Sequence, residues 1–424
     1  MLSIKYIKDN VDKVQQAIDS KNVEFNLDDV LKLDDRRRSI IGEVEQLKSQ
    51  RNTKNKLISD YRKEKRDSSG LINEMKEISS VIKDLDSELN IVEDNLNNKL
   101  LYIPNTLDDS VPIGKDESSN VVIREWGEKP TFDFDIKDHK DLCDMNELVD
   151  FKRSVKMSGS GFPLYTKNGA KLERALINLM LDIHINNHDY SELMPPFLVT
   201  SNSPQTTGNL PKFKEDMYYI ENDDLYCIPT AEVPVTNIHA NEVLEEKDLP
   251  KKYVAYSACF RREAGSYGKD TRGLLRLHQF NKVELVKFVH PDNSYDELES
   301  LLSDAEKILQ KLNLHYRVVA LASGDLSFSA AKCYDIEVWS PFENKYLEVS
   351  SCSNFESFQA RRGNIKFRNT KTNKLNFVHT LNGSGLATPR LMVSLLETYQ
   401  KNDGTIQLPD VLNNYINFFS NNAK

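Results

Sequence analysis

Arg261, Arg262 and Glu263 follow an apolar segment and begin the densest constellation of residues that could carry chemistry. A guanidinium at the end of a strand suits a phosphate or a carboxylate, because it presents two parallel N–H donors. Three glycines occur between Glu263 and position 274, and they allow the loop to close over a ligand. An arginine near a glutamate is also a common surface ion pair. The Arg261–Glu263 segment therefore indicates anion binding only when the residues around it support the same interpretation.

Residues in two further segments could bind the same anion. Glu348 and Ser351 place a carboxylate and a hydroxyl three residues apart in a strand-like segment, and oxygen ligands of this kind suit Mg²⁺ held against phosphates. Pro389 precedes Arg390 after a glycine-rich segment, which predicts a helix start whose N-terminus favours an anion. A polar edge strand and an ordinary loop–helix junction would show the same patterns.

Other chemistries have weaker support in the sequence. His184 and His188 lie four residues apart on a predicted helix, and we expect an interface or exposed role for them and no zinc. Five scattered cysteines argue against a disulfide framework and favour a cytoplasmic protein. The glycine-rich fingerprints of dinucleotide-binding and P-loop proteins do not occur in the sequence.

The strands that would position these residues come in hairpins. The predicted pairs are 217–220 with 225–228, 253–260 with 278–289, and 333–339 with 346–350. Strands joined in this way are antiparallel, which disfavours a doubly wound parallel sheet. The sequence therefore predicts an α+β domain with an antiparallel sheet flanked by helices.

Residues 33–100 differ from the rest of the chain in composition and periodicity. They contain no proline, and apolar residues recur there at alternating steps of three and four, most regularly from Met75 to Leu100. A turn-forming cluster at 67–70 separates two such stretches. We expect an antiparallel coiled-coil hairpin at about 30–100 that projects at least about 45 Å.

The two helices of this hairpin differ in charge. Residues 36–66 contain eleven basic and four acidic residues, whereas 71–100 contain three basic and seven acidic residues. The basic helix is either neutralised by its acidic partner or free to bind a phosphate backbone. The candidates for contact with nucleic acid are Arg36, Arg37, Arg51, Lys54 and Arg62.

Composition and length set the wider limits. The 424 residues have a net charge of −9 and a mean hydropathy of −0.55, so any binding of nucleic acid must be local. No apolar run approaches the roughly 20 residues of a membrane span, so no membrane partner is expected. A proline-containing linker from Ile103 to Pro130 predicts an N-terminal helical domain at 1–110 and a second domain at 111–424.

Several segments together resemble one family. Residues 260–274, F-R-R-E-A-G-S-Y-G-K-D-T-R-G-L, and 278–284, H-Q-F-N-K-V-E, resemble motif 2 of class II aminoacyl-tRNA synthetases in the form typical of bacterial-type seryl-tRNA synthetases. Tyr267 and Lys269 depart from that pattern. Residues 187–197 resemble motif 1, with Asp189 where glycine is usual, and 381–390 resemble motif 3. The resemblance extends over nearly the whole chain.

The resemblance implies a function and roles for the residues that match. A member of this family activates L-serine with ATP and Mg²⁺, transfers it to tRNA(Ser) and also to tRNA(Sec), and forms a homodimer through motif 1 around Pro196. Arg261 and Arg390 would be catalytic, and Glu348 and Ser351 would hold the metal. The implied ATP-binding residues are Arg261, Arg262, Glu263, Phe280, Glu348, Val349, Ser350, Ser351 and Arg390. The implied serine-binding residues are Thr230, Ala231, Glu232, Arg261, Glu284 and Ser384.

Two other functions remain open from the sequence. One is a synthetase-like enzyme that adenylates an amino acid for a different acceptor, although such an enzyme would have no obvious use for the arm. The other is a non-catalytic, tRNA-binding coiled-coil protein. Joint retention of Arg261, Glu348, Ser351 and Arg390 argues against this second alternative.

Overall fold

The structure, a computed structural model, describes residues 1–264 and 272–416. The chain divides into two compact units. The arm unit comprises Leu2–Asp19 and Val23–Pro104, and the sheet unit comprises Met1, Ser20–Asn22 and the chain from Asn105 onward. The division at Pro104 falls within the linker that the prolines indicate. Among the described residues, no helix is both long enough and apolar enough to cross a membrane.

The arm unit consists of four helices: α1 (Ile4–Asp9), α2 (Val11–Ser20), α3 (Leu27–Lys63) and α4 (Ser69–Leu100). Asn26 caps α3 by accepting a hydrogen bond from the backbone N–H of Asp28 at 3.1 Å. The chain reverses after α3 through Lys65, which has a φ of 54°. The predicted hairpin is thus confirmed, but its turn covers residues 64–68 and begins earlier than the predicted 67–70, because Ser69 and Gly70 already belong to α4.

The predicted apolar seam closes this hairpin. Ile40 and Val44 of α3 are buried against Ile82 and Val92 of α4, and Leu33, Leu47, Ile78, Leu85 and Leu89 are partly buried beside them. Alternate steps of three and four keep such residues on one side of each helix, so the seam faces the partner helix throughout.

The described part of the sheet unit contains fourteen strands and eight further α-helices. Its helices are α5 (His139–Met145), α6 (Phe151–Ser158), α7 (Lys167–His188), α8 (Asn202–Thr207), α9 (Glu232–Asn237), α10 (Ser294–Lys311), α11 (Phe358–Arg362) and α12 (Thr388–Thr398). Its strands are β1 (Val121–Trp126), β2 (Ser191–Leu193), β3 (Leu198–Thr200), β4 (Tyr219–Ile220), β5 (Leu225–Cys227), β6 (Val243–Glu245), β7 (Lys251–Phe260), β8 (Gln279–Val289), β9 (Tyr316–Ala320), β10 (Lys332–Ser340), β11 (Lys345–Asn354), β12 (Lys366–Arg368), β13 (Leu375–Phe377) and β14 (His379–Ala387).

Eight of these strands form one sheet in the order β1-β9-β10-β11-β14-β8-β7-β2. Every neighbouring pair in it is antiparallel except β2 with β7. Two three-stranded sheets, β13-β12-β6 and β3-β5-β4, lie outside it. The three predicted hairpins correspond to β4–β5, β7–β8 and β10–β11 and are confirmed. The predicted α+β class is therefore correct.

One face of the large sheet is packed against α7, α10 and α12 through the main apolar core. On β14 a Cβ at Gly383 would collide with Leu301 of α10, and one at Gly385 would lie 2.6 Å from the His184 ring on α7. Glycine at these alternate positions lets the helices approach the strand closely. The residues between and before them, Asn382 and Ser384, line the cavity described below instead.

Helix α7 leads into the segment that resembles motif 1. Its C-cap, Asp189, has φ 58° and ψ 35°, so this aspartate adopts the left-handed conformation expected of it in place of glycine. Strand β2 follows, and after it the chain exposes apolar side chains: Met194 is 86% exposed and Leu198 is 43% exposed. Pro196 lies in this exposed stretch.

Candidate active site

A cavity of about 770 Å³ lies in the sheet unit, lined by residues of β8, β11 and β14, the start of α12 and adjoining loops. The predicted site residues that line it are Thr230, Glu232, Arg261, Glu263, Phe280, Glu348, Val349, Ser351, Ser384 and Arg390. These residues are up to 160 positions apart in the chain, and the antiparallel registers of β8, β11 and β14 bring them together.

Four predicted residues lie outside this lining. Ala231 and Glu284 are buried behind the wall, at 0% and 1% exposure. Ser350 is also buried, and its hydroxyl donates to the Ser384 carbonyl at 2.7 Å. The Arg262 residue is exposed, and its backbone N–H donates to the Asp216 carbonyl at 2.9 Å. Residues 265–271 of the motif 2 segment, including Tyr267 and Lys269, lie outside the described residues.

One end of the cavity is a network of buried polar side chains. The Thr230 hydroxyl donates to Glu284 Oε2 at 3.0 Å, and Asn382 Nδ2 donates to Glu284 Oε1 at 2.9 Å. Lys282 forms an ion pair with the same glutamate. Asn382 Nδ2 also lies 3.0 Å from Glu232 Oε2, so one amide joins the two carboxylates.

Glu232 is the carboxylate of this network that faces the cavity. Its other oxygen accepts a hydrogen bond from Gln359 Nε2 at 2.7 Å. Burial, reinforced by the nearby Glu284, raises the pKa of Glu232 to about 7. A cationic ligand placed here would relieve that unfavourable charge, so this end of the cavity suits an ammonium group.

Arg261 lines the cavity close enough to Glu232 for its positive charge to act on that carboxyl. It follows the last residue of β7, and its backbone N–H donates to the His278 carbonyl at 2.9 Å. Its Nε donates to the Pro229 carbonyl at 3.4 Å, and its guanidinium carbon lies 5.1 Å from the centre of the Phe280 ring. This arrangement leaves further guanidinium N–H groups for an anion in the cavity.

Arg390 is another arginine in the cavity lining. It lies in the first turn of α12 after Pro389, as the sequence predicts. Its Nη1 donates to the backbone carbonyl of Glu348 at 3.0 Å, and its Nε donates to the Leu275 carbonyl at 3.2 Å. Two carbonyl acceptors therefore fix the plane of this guanidinium.

The Glu348–Ser351 pair has a third oxygen-bearing neighbour that sequence reasoning missed. The Ser351 hydroxyl lies 3.2 Å from Glu348 Oε1 and 2.6 Å from Oδ1 of Asp335, on the adjacent strand β10. Burial and the charge of Glu348 hold the pKa of Asp335 well above its usual range. Carboxylate and hydroxyl oxygens of this kind are a hard-cation donor set.

The expectation for the histidine pair needs a correction. His184 is fully buried in the sheet unit, with Nε2 3.1 Å from the Gly385 carbonyl and Nδ1 3.1 Å from Nδ1 of His188. Burial lowers the pKa of His184 to about 3. The predicted interface or exposed role is therefore wrong for His184, because the helix face that carries it packs against β14.

The basic residues of the arm are of two kinds. Arg36 pairs with Glu88, Arg37 with Asp34, and Lys54 with Glu74. Within residues 45–68, the second half of α3 and the turn, the side chains of five basic residues make no ion pair or hydrogen bond: Lys48, Arg51, Lys56, Arg62 and Lys65. Of the five predicted contact residues, only Arg51 and Arg62 are thus unpaired.

Sequence reasoning also missed Lys282, Asn382, Gln359 and Arg276. Lys282 and Asn382 were open to prediction, because each lies two positions from a predicted site residue on the same strand and so faces the same side. Gln359 and Arg276 offered no comparable signal, since they reach Glu232 and Glu263 from separate segments.

Comparison with known proteins bears on both units. Residues 1–107 match the family model of the seryl-tRNA synthetase N-terminal domain, and 213–399 match the class II synthetase core domain (G, H, P, S and T). A serine–tRNA ligase of Syntrophobacter fumaroxidans is 55% identical over 98% of both chains. One of Caldicellulosiruptor saccharolyticus is 56% identical over 98% of this chain and 99% of that protein.

A solved structure is similar over the same length. The seryl-tRNA synthetase of Pyrococcus horikoshii, crystallised in complex with ATP, has a TM-score of 0.93 and 38% sequence identity, covering 98% of each chain.

Proposed function

The chain belongs to the seryl-tRNA synthetase family and is a serine–tRNA ligase, and from this premise we propose that its cavity is where L-serine and ATP react. The supporting observation is that one cavity is lined by the Glu232 carboxylate and by the guanidinium groups of Arg261 and Arg390. A zwitterionic amino acid and a polyanionic nucleotide need this combination of charges. The alternative acceptor is disfavoured, since the family match includes the arm.

The reaction needs alignment more than a protein nucleophile. A serine carboxylate oxygen attacks the α-phosphorus of ATP, the bond to the β-phosphate oxygen breaks, and pyrophosphate leaves. The seryl-adenylate then loses AMP when a hydroxyl at the tRNA 3′ end attacks its carbonyl carbon. In the first step two anions must approach, so Arg261 would contribute by contacting the serine carboxylate and the α-phosphate together.

Glu232 would bind the serine ammonium group. Glu284 would act on the serine hydroxyl through the Thr230 and Asn382 network, with Ser384 and the backbone at Ala231 completing that wall. Alanine would leave these polar groups without a partner, which costs more than the difference in size alone.

Phe280, Glu263 and Val349 would contact the nucleotide, since all three line the cavity beside Arg261. Arg390 would neutralise the terminal phosphate. Arg262 and Ser350 lie outside the lining, so any contribution of theirs to ATP binding would be indirect or would require movement of the loop.

Mg²⁺ would be held by Glu348 and Ser351, with Asp335 hydrogen-bonded to the serine hydroxyl. The donor set fits, because it offers a carboxylate and a hydroxyl and leaves room for water and phosphate ligands. When bound, the ion would reduce the negative charge of the phosphates as pyrophosphate departs.

The Glu348→Gln variant should need about tenfold more Mg²⁺ for half-maximal ATP–pyrophosphate exchange, because a neutral amide is a weaker ligand than a carboxylate. The measurement is a titration of exchange with Mg²⁺ at saturating serine. Glu337 offers a matched control, since it lies opposite Glu348 in the β10–β11 register but outside the cavity lining. An unchanged titration for Glu348→Gln would remove the proposed ligand.

Serine-dependent exchange should rise with pH through the pKa of Glu232. Below a pH of about 7 this carboxyl is mostly protonated and neutral, so it cannot balance the serine ammonium group. Above that pH it is ionised, so kcat/KM for serine should increase by up to about tenfold per unit below the pKa and then level off. The measurement is exchange between pH 6 and 8.5 at varied serine, with alanine, threonine and cysteine in parallel.

The Glu232→Gln variant provides the control for this profile. Its amide does not titrate, so kcat/KM should be low and nearly independent of pH over the same interval. A Gln variant that kept the wild-type slope would show that another group controls the profile.

The arm would bind tRNA(Ser), and by the same family resemblance tRNA(Sec) where a cell contains one. We place the phosphate contacts chiefly on the unpaired residues, including Arg51 and Arg62, because Arg36, Arg37 and Lys54 already face carboxylates. Charging of tRNA(Ser) and tRNA(Sec) transcripts in parallel tests whether both are substrates.

A homodimer and a cytoplasmic location also fit this family membership. The exposed apolar stretch around Met194 and Pro196 is the surface that a second copy would cover. Sedimentation equilibrium of the wild type and of Met194→Glu tests the assembly, and a wild-type monomer at micromolar concentration would refute it.

A further inference from the structure

A buried carboxylate outside the cavity accepts hydrogen bonds from two separate segments of the chain. Glu397, near the end of α12, has a fully buried side chain. Its Oε1 lies 3.2 Å from the backbone nitrogen of His139 and 3.1 Å from His139 Nδ1. Its Oε2 accepts from the Phe342 backbone N–H at 3.2 Å and from the Ser340 hydroxyl. Four donors on one carboxylate hold its position.

The neighbours of His139 determine its tautomer. The backbone N–H of Leu274 donates to His139 Nε2 at 3.3 Å, so Nε2 must be unprotonated. The ring proton is then on Nδ1, where it is donated to Glu397. His139 is itself completely buried and thus makes one directed contact on each side.

The contact to Leu274 leads directly to the proposed ATP site. Leu274 and Leu275 both line the cavity, and the carbonyl of Leu275 accepts the Nε–H of Arg390. Arg390 and Glu397 are in turn two helical turns apart on α12. The hydrogen bonds therefore form a closed ring from the start of the helix, through Leu275, Leu274 and His139, to its end.

This ring fixes a segment that has little regular structure of its own. Leu274 and Leu275 belong to neither β7 nor β8, so no strand ladder holds their backbone. The preceding Gly273 has a φ of 61° and packs so closely on the His139 ring that a Cβ there would collide with it. His139 thus holds the segment before Leu275 in place, through its hydrogen bond to Leu274 and its contact with Gly273.

We propose that His139, oriented by Glu397, is a positioning residue for Arg390. By fixing the peptide whose carbonyl binds Nε, it sets the direction of the guanidinium toward the phosphates of ATP. The proposal rests on the function proposed above for Arg390, and it assigns to the His139–Glu397 pair a part in adenylation without contact to substrate.

Two substitutions of His139 separate its two contacts. Asparagine places its amide near the Nδ1 position and can still donate to Glu397, but it leaves the Leu274 N–H without an acceptor. Glutamine reaches the Nε2 position and can keep that acceptor. His139→Asn should lower kcat/KM for ATP about 10- to 100-fold, because small displacements of an aligned group are costly, whereas His139→Gln should stay within about fivefold of wild type. The measurement is serine-dependent ATP–pyrophosphate exchange with each substrate varied.

A purely structural role predicts a different result. It would lower thermal stability and would affect ATP and serine kinetics alike in both variants. His315→Asn is the matched control, since His315 is also buried and uses both ring nitrogens, toward the Gly127 carbonyl at 3.1 Å and the Tyr346 hydroxyl at 2.8 Å, outside the cavity lining. We expect it to lose stability without the ATP-specific defect. Equal defects in His139→Asn and His139→Gln would overturn the proposal.

A double-mutant cycle separates this proposal from the one on which it rests. If His139 acts through Arg390, the two effects are not additive. Adding His139→Asn to Arg390→Lys should then lower kcat/KM for ATP by less than about threefold beyond the effect of Arg390→Lys alone. Full additivity would refute the positioning role while leaving the function of Arg390 intact. Wild-type exchange by Arg390→Lys and Arg390→Ala would instead refute the role of Arg390 itself.

Discussion

Replacement of Arg261 by alanine is expected to lower serine-dependent ATP–pyrophosphate exchange by about three orders of magnitude. The guanidinium lines the same cavity as Glu232 and Arg390, where the two reacting anions would meet. Loss of one preorganised donor to a developing charge commonly costs about 10²- to 10³-fold, and here a full positive charge is removed as well. Steady-state exchange at saturating ATP and serine measures the change.

Arg317 is the matched control for this variant. It lies on strand β9 of the same sheet, its guanidinium also lies over an aromatic ring, 4.1 Å from the centre of Tyr346, and it pairs with Glu337 outside the cavity lining. Arg317→Ala should keep exchange within about twofold of wild type, since a partly exposed ion pair contributes little. Near-normal exchange by Arg261→Ala would remove it from the catalytic group.

Regular patterns made the elements predictable. The seam from Met75 to Leu100 repeats over more than three heptads, and such a long repeat leaves few alternatives to a coiled coil. The three hairpins were predictable because each has two strand-like segments around a short polar turn or, between β7 and β8, a longer glycine-containing loop. The order of strands within the sheet was not, because the crossover from β11 to β14 is set by contacts far apart in sequence.

The site was predictable only where its residues fall within contiguous motifs. Arg261 and Phe280 belong to one such segment, whereas His139 and Glu397 meet across 258 positions and carry no local signal. The register between α3 and α4 could not be predicted from the sequence either. The sequence left open whether its basic helix is neutralised or free, and the structure pairs Arg36 and Lys54 with α4 while Arg51 remains unpaired.

Removal of the far half of the arm should abolish charging of tRNA while sparing adenylation. The ion pairs Arg36–Glu88 and Lys54–Glu74 give the register of the two helices. Deletion of residues 45–83, with a short glycine–serine link in their place, therefore shortens α3 and α4 to the same level. The seam residue Val44 and the pair Lys99–Asp29 remain in the stump. We expect kcat/KM for tRNA(Ser) to fall by more than about 10³-fold, since phosphate contacts dominate such affinity, and exchange to stay within about twofold.

A substitution series then separates the charge of the arm from its length. Replacing the unpaired Lys48, Arg51, Lys56 and Arg62 by glutamine keeps both helices but should weaken tRNA binding and lower the salt dependence of its affinity, by up to about 0.9 in slope for each phosphate that the arm no longer neutralises. The control, Arg36→Gln with Arg37→Gln, removes charges that carboxylates already neutralise and should change the slope less. Because neither set touches the cavity, a loss of exchange in either would indicate misfolding. Unimpaired charging by the four-residue variant would move the tRNA-binding surface away from the unpaired residues of the arm.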